Sequence, residues 1–233
     1  MDEKLNVVSL REQVYEYLRD QMHNGTFLPG SSINIGEIAK RLGISKTPLR
    51  DALIQLEVEG FVTIQPRRGV LVNELTLQDV KNAYGIAGAL EAAVILDCFD
   101  RIGEAELTRM EELNKQMLSD IEKGDFNTFY ETNLAFHNVF VTLSDNMALR
   151  KLLSPIKRRL YDFPRQSYIR EWELRNCGEH EEFIRLIREG DREGAARLMR
   201  DVHWSYEVQE VYIKKFHSLM AEEIEEHRSG RNA

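Results

Sequence analysis

Apolar positions recur along this chain at two spacings, and the change of spacing divides it. In residues 9–23, SLREQVYEYLRDQMH, the residues Leu10, Val14, Tyr17, Leu18 and Met22 return every three or four positions, the period of one helix face. Ser9 stands as an N-cap with Glu12 three residues on, the arrangement of a capping box. Asn24-Gly25 and Pro29-Gly30 break the pattern. It resumes at about 34–41, where Ile35, Ile38 and Leu42 share a face and Gly43 ends the helix. A third stripe runs through ISKTPLRDALIQLEVEGF by way of Leu49, Ala52, Leu53, Leu56 and Val58, with Ser45 as its cap. FVTIQPRRGVLV then reads as two short strands about a turn at Pro66 and Gly69. Helix, helix, turn, helix, hairpin is a winged helix-turn-helix arrangement.

From about Thr76 onward only the helical period is left. It predicts helices near 76–100, 104–123, 126–144, 146–163, 168–189 and 192–226. Gly103, Gly124 and Gly190 mark breaks, and Asp125 and Asp191 follow the last two as caps for the next helix. Pro155 and Pro164 are expected to bend or interrupt the fourth of these helices and its exit. The charged tail, EEIEEHRSGRNA, is expected to fray. The expected fold is mostly α: a winged helix-turn-helix over 1–75, then an all-α helical bundle over 76–233. A length of 233 residues suits two such domains.

The net charge of −8 is unevenly spread. Residues 1–75 hold nine basic and ten acidic side chains, so the acidity lies in the second part. Lys40, Arg41, Lys46 and Arg50 cluster in the first part, and Arg67 and Arg68 stand side by side. Phosphate responds to the local field rather than to the total, so DNA binding is expected from the N-terminal end alone. Cys98 and Cys177 are the two cysteines, which gives no disulfide framework and suits a reducing compartment. The start lacks the apolar stretch of a secretory signal, and no apolar run approaches the ~20 residues of a membrane span, so a cytoplasmic location is expected.

The third helix opens oddly. Ser45, Lys46 and Thr47 precede Pro48 and Arg50 follows, although a helix N-terminus favours negative charge. Alone, this reads as a capped surface helix with solvated charges. With the hairpin beside it, the balance turns to a recognition helix: its N-terminal residues meet phosphates and base edges in the major groove. The Arg67-Arg68-Gly69 tip then reaches the flanking groove.

LPGSSINIGEIAKRLGISKTPLRDALIQLEVEGFVTIQPRRGVLV resembles the N-terminal domain of GntR-type bacterial transcription regulators. Pro29-Gly30, Leu42-Gly43, Ser45, Pro48, Leu49-Arg50, Ala52-Leu53, Leu56, Glu59-Gly60 and Arg68-Gly69 fall in register across about 65 residues. The resemblance implies operator binding through Ser45, Lys46, Thr47, Arg50, Arg67, Arg68 and Gly69. Lys46 stands where Arg is usual, which keeps the charge and loses the bidentate fork. Gly36 stands where many members carry a DNA-contacting Arg.

In the helical part, Asn133 and His137 are four apart and share a face. His180 lies on the face of Phe183, Ile184 and Ile187, and His203 beside Ala196, Met199 and Tyr206. Three histidines on apolar faces of three helices could converge on a metal inside a bundle, although each alone reads as a hydrogen-bonded core residue. N-x-x-x-H, E-H 43 residues on and H another 23 on resembles the FCD effector domain of the FadR-type GntR branch. That resemblance implies a divalent metal, Zn or Ni, held by Asn133, His137, His180 and His203 at the floor of an effector cavity. Ala87 occupies a place where many members carry an Arg, which leaves Arg158, Arg159 and Arg165 as the expected anchors for a carboxylate effector.

The expected function is therefore a homodimeric, ligand-responsive transcription repressor. It would bind double-stranded operator DNA and respond to a small organic acid. AYGIAGALEAAVIL, rich in small residues, is expected either to form a dimer face or to serve as plain core. Two other readings compete: a metal-dependent hydrolase built on the bundle, and a DNA-binding protein without an effector. HEEFI is half of an H-E-x-x-H zinc motif, with Ile184 in place of the second His, and no G-x-S-x-G or phosphate loop is present. The chain is not expected to be an enzyme.

Overall fold

The computed structural model of the protein describes residues 8–161 and 168–230. Two compact units divide it, one running to Leu75 and the other covering Thr76–Tyr161 and 168–226. Pro164 and Arg165 lie outside the described residues.

In the first unit, α1 (Leu10–His23) is capped by Ser9, whose Oγ accepts from the Glu12 amide at 3.2 Å. Asn34 caps α2 (Ile35–Leu42) by accepting from the amides of Gly36 and Glu37, and Gly43 ends it with φ of 66°, a conformation glycine adopts without cost. The third helix, α3 (Lys46–Val58), lays Leu49, Leu53 and Leu56 against Leu18 of α1, all four fully buried. Burying each such leucine contributes about 1.5–3 kcal/mol. Three expected core positions differ. Tyr15 fills the place given to Tyr17, which is half-buried beneath the guanidinium of Arg41; Leu10 and Val58 are exposed, both at helix ends beyond the packed face.

The hairpin pairs β2 (Val62–Gln65) antiparallel with β3 (Gly69–Val72), in a register that sets Gln65 opposite Gly69. A further strand, β1 (Ser32–Ile33), adds to the other side of β3, giving the order β1-β3-β2. Two residues are too few to show a period, so the sequence carried no sign of it. Arg67 sits at the hairpin tip with φ of 64°, the left-handed region that non-glycine residues seldom adopt.

The second unit is helical: α4 (Leu77–Cys98), α5 (Glu104–Lys123), α6 (Phe126–Val141), α7 (Met147–Tyr161), α8 (Arg170–Arg188), α9 (Arg192–Leu198) and α10 (Tyr206–Gly230). Asp125 and Asp191 cap α6 and α9, and Thr76 with Asp79 closes a capping box on α4. Pro155 lies inside α7 without interrupting it, and α10 continues through Gly230, beyond the expected end near 226. The single helix expected over 192–226 is divided. A π-helical turn, Met199–His203, follows α9, and Trp204 and Ser205 separate it from α10.

The central element is α4, which packs against α6, α7, α9 and the π turn. Leu77–Arg101 is long and apolar enough to cross a membrane by length and composition, which amends the expectation that no run approaches that length. Its apolarity has a bundle-side cause: Ala87, Val94, Ile95 and Cys98 are fully buried, with the charged Glu91 among them. Gly88 allows the closest approach, since a Cβ there would stand 3.0 Å from the Trp204 Cβ and 3.2 Å from the Arg200 carbonyl oxygen. Replacing Gly88 with Ala should therefore cost about 1–3 kcal/mol through overpacking, read as a lower urea midpoint. An unchanged midpoint would show that α4 and the π turn can separate freely.

Candidate metal centre and DNA-facing surface

The three histidines of the helical unit meet. Asn133 and His137 lie one turn apart on α6, His180 on α8 and His203 at the end of the π turn, all buried. The ring centroids of the histidines are 5.0–5.3 Å apart, and one ring nitrogen from each lies within 4.8 Å of the others. A π turn inserts one extra residue per turn and is often found at functional sites.

Each ring is held through its Nδ1. His137 Nδ1 is 3.0 Å from Glu91 Oε2, and His203 Nδ1 is 2.9 Å from Glu179 Oε2. His180 Nδ1 is 3.3 Å from Asn114 Oδ1, the amide of which is oriented by its own Nδ2 donating to the Cys177 carbonyl. A carboxylate only accepts, so His137 and His203 carry their proton on Nδ1 and turn an Nε2 lone pair away from it. The Nε2 atoms of His137 and His180 are buried without a hydrogen-bond partner. Orphaned buried nitrogens cost free energy, and carboxylate–imidazole pairs are the usual outer shell of a bound cation. The donor set fits a divalent metal.

The outer partners form their own networks. Glu91, fully buried, also accepts from Trp204 Nε1 at 2.7 Å and from Lys157 Nζ at 2.5 Å. Glu179 accepts from Gln209 Nε2 and Arg175 Nε, and Gln209 Oε1 in turn accepts from Trp172 Nε1. Burial pushes the His137 imidazole down to about 3 against the pull of Glu91, and burial likewise holds His180 well below its ordinary value. Burial alone would raise the Glu91 carboxyl, but His137 and Lys157 beside it hold it well below the usual carboxylate range.

A cavity of about 400 Å³ opens between α6 and α7. Leu134, Val141 and Thr142 line it from the α6 side, and Arg150, Lys151, Lys157 and Arg158 bring four cations from α7, with the hydroxyl of Ser154. Of the expected effector anchors, Arg158 is thus on a cavity. Arg159 reaches Asp79 at 3.5 Å instead, and Arg165 is outside the described residues.

In the first unit, Ser45, Lys46, Thr47, Arg50, Arg67 and Arg68 are all exposed, with Gly69 half-buried at the start of β3. Ser45 holds the N-cap position of α3 but its hydroxyl makes no capping bond, and no acidic residue lies in the first turn. Among the described residues none of these four cations is in an ion pair. A cationic helix start with unfilled amides is suited to phosphate.

Comparison with known proteins decides the assignment. Residues 10–72 match the family of bacterial regulatory proteins named gntR, and residues 83–203 match the FCD domain. The chain is a GntR-family regulator with an FCD domain. It is 34% identical over 145 residues to the uncharacterized HTH-type transcriptional regulator YdhC of Bacillus subtilis, covering 62% of this chain and 65% of that protein. It is 29% identical over 136 residues to the HTH-type transcriptional repressor RspR of Escherichia coli, covering 58% and 60%. These alignments span less than two thirds of either relative. The structure of E. coli McbR/YncC superposes with a TM-score of 0.71 over 93% of this chain and 99% of that one, at 19% identity, which shows a shared fold. The family and these relatives are transcription regulators, so the hydrolase reading falls and this regulator is not an enzyme.

Glu91, Asn114, Lys157, Glu179, Trp204 and Gln209 were not among the residues expected from the sequence. Glu91 did carry a signal, a lone acid on the inward stripe of an alanine-rich helix. The others lie on faces whose direction only packing reveals.

The pKa shifts fix a pH dependence for the metal-free regulator. His137 and His180 are lowered on folding, so between their folded values and the ordinary ~6.5 the unfolded chain binds protons that the native state does not. Their stabilisation is full above ~6.5 and is lost as pH falls toward 3. Glu91, also lowered, adds stability above ordinary carboxylate values that is lost in the same direction. Urea midpoints of chelator-treated protein should fall steadily below ~6.5, and a flat profile from 7 to 5 would contradict two neutral buried imidazoles.

Proposed function

We propose that this regulator binds operator DNA as a homodimer and carries a divalent metal, Zn or Ni, in its helical unit, with a small organic acid as effector. The observation that carries the reading is the set of three imidazoles from three elements, each fixed through Nδ1, with the Nε2 atoms of His137 and His180 orphaned. His137, His180 and His203 would hold the ion, with Asn133 beside them on α6. When bound, the ion supplies a Lewis-acidic position for an effector carboxylate, and imidazole donors suit either metal. The protein's own part is to orient the rings through Glu91, Asn114 and Glu179 and to exclude water by burial.

DNA contact is assigned to the start of α3 and to the hairpin tip. Lys46 and Arg50, with the hydroxyls of Ser45 and Thr47, would meet the major groove; Arg67, Arg68 and Gly69 would meet the groove beside it. Dimerisation is supported by an exposed stripe on α4, where Ile86, Ala89, Ala93 and Leu96 follow one another at helical spacing, and by exposed Met147 and Leu152 on α7. RspR is named a repressor, and the same sense is proposed here, with the regulator acting in the cytoplasm.

Gel-shift titration with an operator carrying two half-sites should give a complex containing two chains. Arg50→Ala should cost about 1–3 kcal/mol and relax specificity, whereas Arg67→Ala should weaken all sequences alike and reduce the salt slope by about 1. Wild-type affinity in both variants would refute the docking. For the metal, competition against a chromophoric chelator should give one Zn per chain. His203→Ala should lose it while keeping basal DNA binding, and Asn133→Asp should tighten it by adding an anionic donor. Full metal content in a triple His137, His180 and His203 alanine variant would return these residues to plain core.

A further inference from the structure

The histidine centre and the α6–α7 cavity meet at one side chain. Lys157 lines the cavity yet is 2% exposed, with its ammonium 2.5 Å from Glu91 Oε1. The other oxygen of the same carboxylate receives His137 Nδ1 and Trp204 Nε1. One carboxylate therefore stands between a cavity-lining cation and a ring of the histidine centre. The cavity itself has four cations on its wall and, among the described residues lining it, no acid. A lining of cationic and apolar side chains suits a small carboxylate with a hydrocarbon body: the charge would meet the ammonium and guanidinium groups, and the body would lie on Leu134 and Val141.

We propose that the α6–α7 cavity is a carboxylate site, and that Lys157 is the positioning residue through which a carboxylate bound there tightens the metal affinity of the histidine centre. This rests on the metal reading above and adds to it a second carboxylate position, apart from the one on the ion. An ammonium has three N–H donors, so an incoming carboxylate can share Lys157 with Glu91. As Lys157 is drawn toward the ligand, Glu91 turns more of its charge on the His137 Nδ1–H and makes the opposite nitrogen a better donor. The ligand also screens a positive charge that repels the bound cation. By reciprocity, metal strengthens carboxylate binding by the same factor.

The test is Zn competition titration of the full chain with saturating butyrate, with the neutral isostere butyramide, and without either. Butyrate should tighten Zn by about fivefold or more, a coupling of ordinary size, and butyramide should not. Lys157→Met should bind Zn more tightly than wild type and no longer respond to butyrate. Lys157→Arg, which keeps the charge, should still respond, and it serves if the Met variant fails to fold. An Arg150→Gln, Lys151→Gln double variant should need more butyrate for the same effect. Butyrate acting equally on wild type and Lys157→Met, or on neither, would overturn the link. Should wild type bind no Zn, the metal reading itself fails; protection from thermal unfolding by butyrate, lost in the double variant, then still reports whether the cavity takes carboxylates.

Discussion

The helical unit is organised around one buried carboxylate. Glu91 sits on the central helix α4 with no exposure and receives donors from α6, α7 and the residue after the π turn. A lone charge there would be prohibitive, and the three donors are what make it tolerable. The requirement runs both ways. Once α4 carries Glu91, the His137 ring, the Lys157 stem and the Trp204 indole have each one place to go, and their helices are placed with them. The pair Gly88 and Trp204 tightens the same joint from the steric side.

That arrangement explains how three candidate metal ligands can lie so deep in the protein. Imidazoles at the surface would be wetted and mobile; here burial keeps His137 and His180 neutral, and fixed acceptors orient all three rings. A second network, Glu179 with Gln209 and Trp172, orients His203 from the side of α10. The two networks share no side chain, so the rings are aimed independently and converge only at their far nitrogens. In the DNA-facing unit the logic is reversed: a small leucine core holds α1 and α3 while the functional side chains stay in water.

Much of this was legible in the sequence because helix and strand periods, caps and breaks are local. The Ser9, Asp125 and Asp191 caps, the hairpin and five of the seven helices of the second unit, α4 to α8, follow from neighbours a few residues apart. The convergence of His137, His180 and His203 was suggested by their apolar faces. What stayed hidden is long-range: Lys157 reaches Glu91 across 66 residues, and Asn114 reaches His180 across the same separation. The strand β1 was hidden by shortness. The division of 192–226 was hidden because a π turn has no propensity signature and arises where packing on Gly88 demands it.

The π turn at Met199–His203 also acts as a phase shifter. Each residue advances an α-helix by about 100°, so one additional residue turns everything after it by that angle. Here the shift brings His203 and Trp204, adjacent in sequence, both to the inside, one at the histidine centre and one at Glu91. A chain shortened by one residue at this point would keep its composition and its hydrophobic content and lose that double inward aim. Loops elsewhere in the bundle tolerate changes in length; this five-residue stretch has its length written into its chemistry.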